Sequence, residues 1–181
     1  ENIIWPETNG IKLISAGDTS NTIIDGNNSG TVITISEIFF NTGLVLDTTN
    51  VIKGFKIQNG NNTLSNGGGV SISGSIKLEN NRIINNSVFS GGGGIYSNSS
   101  TVVIENSSII GNSITNTATN DGGAGILSTN NSNIFIRNSS ILNNNGAVAG
   151  SGIKILGGNC FINNSKISNN SAVLNGGGIL N

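Results

Sequence analysis

Few residues in this chain could do chemistry. His is absent and Cys160 stands alone, which excludes imidazole catalysis, His-based metal sites and an intrachain disulfide framework. Among the nine acidic residues, Glu79 and Glu105 occupy matching places in "IKLENNRI" and "VVIENSSI", 26 residues apart, with Arg82 beside the first. Paired carboxylates are the machinery of glycoside hydrolysis, at a separation of roughly 5 Å or more, so Glu79, Glu105 and Arg82 are the catalytic candidates. The same repeat position, however, reads Lys53, Glu79, Glu105, Arg137. A cation at each end of two carboxylates describes a solvated cross-strand ladder worth tenths of a kcal/mol per pair. That reading is the stronger, and the balance leans away from an enzyme. Asp18, Asp25, Asp47 and Asp121 fall near different turns. Asp25 precedes a glycine and reads as a turn cap. Ca²⁺ needs six or more oxygens, which these scattered acids do not supply, so neither metal nor cofactor is expected.

The elements that must position these residues come from a repeat. "IKGFKI" (52–57), "LENNRI" (78–83), "IENSSI" (104–109), "IRNSSI" (136–141) and "INNSKI" (162–167) follow one another in steps of 26, 26, 32 and 26 residues. A glycine cluster followed by an aliphatic residue keeps step with them, as in "GGGVSI" (67–72), "GGGGIYS" (91–97), "GGAGILS" (122–128), "GSGIKI" (150–155) and "GGGIL" (176–180). "GLVL" (43–46) is a further copy of that mark. Each repeat holds three short runs of period-two alternation, the signature of strands with one face buried. None has room for a helix. The expected fold is all-β: a parallel β-helix (β-solenoid) of about six coils, ~26 residues each, stacked at ~4.8 Å. Residues 1–181 form one domain, in which 1–9 are an N-terminal cap or incoming strand.

The asparagines follow from that geometry. The residue ending the second run is Gly26, Gly54, Asn80, Asn106, Asn138, Asn164; the residue ending the third is Asn59, Asn85, Gly111, Asn143, Asn169. Gly and Asn are the residues that best tolerate φ > 0, so both positions are left-handed corners, and stacked corner amides can form a ladder along the axis. The glycine clusters mark a third corner. Alternation points Ile76/Leu78, Val102/Ile104, Ile134/Ile136 and Cys160/Ile162 inward, with Ile57, Ile83, Ile109, Ile141 and Ile167 as a second column. Cys160 is then an inert buried thiol. An outward column reads Val51, Lys77, Val103, Phe135, Phe161. Val103, Phe135 and Phe161 make an apolar stripe fit for a glycan or protein contact, unless the "NSITNTATND" insertion (112–121) covers it.

"INNSVFSGGGGIY" and "SNNSAVLNGGGIL" resemble the paired motifs of chlamydial polymorphic outer-membrane proteins. "TIIDGNNSGTVITI" with "VIKGFKIQNG" is similar to the first coils of secreted bacterial right-handed β-helix proteins of the pectate-lyase-like superfamily. The resemblance covers roughly residues 10–181. It departs in having Ile where the Phe of the first motif belongs and GGG or GAG where the second motif has GGA. It implies a right-handed β-helix, export, and a place on the cell surface or outside the cell. An enzyme of that superfamily would cleave polysaccharide, its lyases using acidic residues for Ca²⁺ and an Arg or Lys as base. Fold does not imply function, and a rigid stalk or adhesin-like module is the leading expectation, with lyase or hydrolase as the alternative.

Composition narrows the partners. Charged residues are 9% of the chain and net charge is −1, which argues against a nucleic-acid binder and against an anionic-membrane binder. No apolar run approaches the ~20 residues that span a bilayer. Met is absent, so the chain reads as a processed form or an excerpt, with further coils of the same polypeptide expected beyond it.

Overall fold

The computed structural model describes residues 1–36, 45–116, 122–146 and 148–181. Gly43 and Leu44 of the first "GLVL" mark, Asp121, and residues 117–121 of the long insertion lie outside them.

Among the described residues the chain is all-β, with no helix. Strands pair only in parallel within three sheets of eleven, six and three strands. The stacking follows the sequence repeat and fits a β-helix or solenoid. Ile57, Ile83, Ile109, Ile141 and Ile167 are register partners in turn. Ile52, Leu78, Ile104, Ile136 and Ile162 are another such column. Residues 1–9 enter the stack through Ile3–Ile4, paired with Ile33 and Thr34, and Trp5 is buried.

One repeat runs Val70–Ser73, Ile76–Glu79, Arg82–Ile84, Ser87–Val88. The sequence reading of three strands per repeat therefore missed the fourth. Asn61–Asn62, Ser87–Val88 and Ser113–Ile114 form their own small sheet. At two residues each, these strands are too short to show a period.

Inward side chains are aliphatic because the interior is a stack of similar layers. Ile76, Leu78, Val102, Ile104, Ile134 and Ile136 are fully buried, each contributing about 1.5–3 kcal/mol. Cys160 and Ile162 depart from the expected burial: Cys160 is half-buried and Ile162 is 39% exposed. The reason is coverage. Their strand, Ile153–Asn163, pairs along its length with Ile126–Arg137 but on its other side only at Ile153 and Lys154. Burial still pushes the Cys160 thiol up to about 11, which keeps it protonated at neutral pH. Alkylation by iodoacetamide at pH 7.5 is expected to be at least about tenfold slower than for a free cysteine; labelling at the free-thiol rate would contradict this.

The glycine clusters turn the chain where rungs touch backbone to backbone. Gly67, Gly92, Gly123, Gly150 and Gly176 have positive φ. A Cβ on Gly94, Gly125 or Gly152 would meet the carbonyl oxygen of the next rung at 2.6, 2.5 and 2.3 Å.

Candidate functional site

Glu79 and Glu105 are register partners, but they do not face one another as free carboxylates. Lys53 Nζ lies 2.7 Å from Glu79, Arg137 Nη1 lies 3.0 Å from Glu105, and Lys77 Nζ bridges the two at 3.1 and 2.8 Å. The bridging role of Lys77 was missed in the sequence, where alternation placed it in the neighbouring column with Val103. It belongs to that column by backbone and to the ladder by its flexible ammonium head. Lys53 holds Glu79 below the usual carboxylate range, Lys77 does the same for Glu105, and Glu105 raises Lys77. A general acid would need the opposite shift. Arg82 takes part in none of these ion pairs.

The signs set the pH window. Carboxylates depressed in the fold stabilise above their unfolded value, near 4.3, and lose that contribution as pH falls through the folded values. Lys77, raised, contributes below its unfolded value and is lost as pH rises through its folded one. The groups are partly exposed, so each pair is worth at most about 1 kcal/mol. Glu105→Gln is expected to lower Tm by only a few degrees at pH 7, and the difference from the parent should shrink as pH falls below the ordinary carboxylate range through the depressed folded value. A constant deficit across that range would contradict the ladder.

Three of the aspartates, Asp18, Asp25 and Asp47, are taken up by hydrogen bonds around their turns. Asp18 accepts from the Ser20 N–H at 2.7 Å, Asp25 from Asn27 N–H at 2.8 Å and from the Gln58 and Asn59 amides, and Asp47 from Thr49 N–H at 2.9 Å. These bonds hold all three carboxyls low. Among the described residues no group of three His, Cys, Asp or Glu comes together to hold a metal.

The corners are left-handed. Gly54, Asn80, Asn106, Asn138 and Asn164 have φ of 85, 54, 49, 48 and 44°; Asn59, Asn85, Gly111, Asn143 and Asn169 have 56, 53, 64, 56 and 56°. Gly26 departs: the positive φ values there belong to Asn27 and Asn28. The amide ladder is also not where the corner argument placed it. In the first corner column Asn164 Nδ2 donates to Asn138 Oδ1 at 2.8 Å, a single rung rather than a ladder. The continuous ladder is one residue on from the second corner, at Asn86, Asn112, Asn144 and Asn170, whose side chains turn inward. Asn86, Asn112 and Asn144 each donate through Nδ2 to the next Oδ1 at 2.9–3.0 Å, and that oxygen also accepts their own backbone N–H. Ser107, Ser139 and Ser165 do the same behind the first corner: each hydroxyl accepts the backbone N–H of Asn81, Ser107 and Ser139 respectively.

The asparagines of the first corner, by contrast, are exposed and line a depression. A cavity of about 470 Å³, with Lys53, Gly54, Asn80 and Arg82 along it and Ser15–Thr19 at its side, meets a second of about 640 Å³ at Asn106 and Ser108. The second continues over Asn138 and Ser140 to Asn164 and Lys166.

Val103, Phe135 and Phe161 align in register. The two rings stack at 4.9 Å and 11°, with the Arg137 guanidinium 5.6 Å from the Phe135 centroid. Phe161 is 52% exposed, so the stripe is open to solvent on that rung. An all-β chain of stacked parallel strands, bearing a neutralised charge ladder, an aromatic stack and an asparagine-lined trough, is the class that these features define. No family model, curated protein or solved structure matches it.

Proposed function

We propose that the chain is a right-handed parallel β-helix of about six coils, similar to the exported pectate-lyase-like and polymorphic outer-membrane repeat proteins. It acts outside the cell or on its surface as a non-catalytic stalk or adhesin-like module. Its handedness follows from the chirality of parallel crossovers. The observation that carries the reading is the state of Glu79 and Glu105: both are held ionised by Lys53, Lys77 and Arg137, and neither is positioned as an acid. The stacked Phe135 and Phe161 support a contact surface, because an aromatic stack with Phe161 exposed and Phe135 half-buried beside a cation suits the apolar face of a sugar or a protein side chain. Incubating the purified protein and Ca²⁺ with acidic and neutral polysaccharides, with assay of new unsaturated and reducing ends, tests it. No turnover is expected. Turnover that disappears in Glu105→Gln would overturn the module in favour of a polysaccharide lyase or hydrolase.

A further inference from the structure

We infer that the outer face of the six-stranded sheet is a docking surface for an acidic, amphipathic helix of a partner protein, lying along the stacking axis. The inference goes beyond the proposed function: it concerns a different sheet from the aromatic stripe and names a different class of partner.

The face carries two outward columns. One reads Lys56, Arg82, Ser108, Ser140, Lys166 in register, the other Gln58, Ile84, Ile110, Leu142, Ser168. Between them run the buried Ile57, Ile83, Ile109 and Ile141, so alternation sends both columns outward. Ile84, Ile110 and Leu142 are half-buried, and none belongs to or packs against a core cluster. A single surface aliphatic needs no explanation, but three on successive rungs form one continuous apolar row.

Charge marks the same face. Lys56, Arg82 and Lys166 enter no ion pair among the described residues, whereas Lys53, Lys77 and Arg137 are bound into the ladder on the other sheet. The carboxylate in line with the second column is Asp25, the register partner of Gln58; hydrogen bonds hold it in the ionised form. Three cations against one carboxylate make this face positive on a chain whose net charge is −1.

The occupant follows from sign and spacing. It must bring aliphatic side chains to the row and carboxylates to its ends, with a neutral middle where Ser140 Oγ donates to Ser108 Oγ at 3.1 Å. A second copy of this chain would bring further cations instead. Rungs are ~4.8 Å apart. A helix presents one side chain per turn, every ~5.4 Å, and so drifts by only about 1 Å across the three aliphatic rungs. Like-facing residues of an extended peptide recur at about 6.8 Å and drift by about 4 Å over the same distance. From Lys56 to Lys166 is about 19 Å, between three and four helical turns.

The test is anisotropy titration with a labelled helical peptide of about four turns, bearing leucine once per turn on one stripe and glutamate beside it. The control is the same peptide with lysine for glutamate. The glutamate peptide should bind about tenfold or more tightly than the lysine one, and less well as salt rises. Ile110→Thr/Leu142→Thr keeps residues that suit a strand and should weaken binding about tenfold or more. Should that variant not fold, Arg82→Gln/Lys166→Gln leaves the apolar row intact and should cost a similar factor while flattening the salt dependence. Equal affinity for the two peptides, no binding of either, or binding that survives both double variants overturns the inference. So does binding lost only in Phe161→Ala, which moves the contact to the aromatic stripe. Without peptide binding, self-association in sedimentation that Ile110→Thr/Leu142→Thr abolishes assigns the face to a second copy, and capture by phosphatidylserine vesicles that Arg82→Gln/Lys166→Gln abolishes assigns it to a membrane. Polysaccharide turnover lost in Glu105→Gln overturns the non-catalytic reading and leaves this face untouched, since Glu105 lies on the eleven-stranded sheet.

Discussion

Asn112→Ala is expected to lower the stability of this chain by about 3–4 kcal/mol, or roughly 10 °C in Tm. The side chain is fully buried. Its Oδ1 accepts from the backbone N–H and the Nδ2 of Asn86, at 3.0 Å each. Its own Nδ2 donates to the Ile83 carbonyl and to Asn144 Oδ1, at 3.0 Å each. Truncation leaves the Asn86 N–H buried without its acceptor, at about 1–3 kcal/mol, takes an acceptor from the Asn86 amide and a second donor from the Ile83 carbonyl, and opens a void beside them. The control is the corner residue of the preceding repeat. Asn85 is exposed and left-handed, and Asn85→Gly keeps its conformation, so a change within about 0.5 kcal/mol is expected. Thermal melts of the two variants decide the matter. Equal midpoints would mean that the inward ladder contributes nothing beyond the corners.

The second large effect is Gly94→Ala. The φ of this glycine is not positive, so alanine meets no local strain there. The obstacle is the next rung: a Cβ would lie 2.6 Å from the Gly125 carbonyl oxygen and 2.9 Å from a methyl of Ile109. That oxygen cannot retreat freely, because it accepts the Ile95 N–H at 2.9 Å. Relief requires parting two rungs, and a loss of about 2–3 kcal/mol is expected. Gly10→Ala separates the two uses of glycine. Its φ is 78°, with nothing within 4 Å of an added methyl, so only the left-handed penalty of about 1–2 kcal/mol applies. Urea midpoints that rank Gly10→Ala as the more damaging would refute the close-contact account.

The fold was legible because each repeat states it again. The period of 26 residues, broken once by 32, reappears as strand register. The Gly/Asn restriction at the ends of the second and third runs reappears as positive φ from Gly54 to Asn169. The ladder was misplaced by one residue for a physical reason. A left-handed corner interrupts the alternation of inward and outward side chains, so in a doublet such as Asn143–Asn144 or Asn169–Asn170 the pattern does not say which asparagine turns in. The choice follows from φ: the corner residue points out and its successor in. The role of Lys77 was hidden because alternation fixes where a strand residue starts and not where four methylenes end. The trough had no local signature, since one wall comes from Ser15–Thr19 and its floor from corners as distant as Asn164.

The single step of 32 residues carries a consequence for how such a chain can vary. Ile109 and Ile141 are register partners as faithfully as Ile83 and Ile109, although more chain connects them. The surplus has not slipped the stack. Because closing a loop of twice the length costs only about 0.6 kcal/mol more, extra residues between Ile114 and Gly122 are nearly free, whereas one residue added inside a strand turns its inward side chains to solvent unless a bulge absorbs it, as between Thr129 and Ser132, where Ile134 and Ile136 stay buried. Variation in length is thereby channelled mainly to the chain between Ile114 and Gly122. A foreign peptide inserted there should be carried on an undisturbed scaffold, as a graft that leaves the rungs on either side in their original partnership.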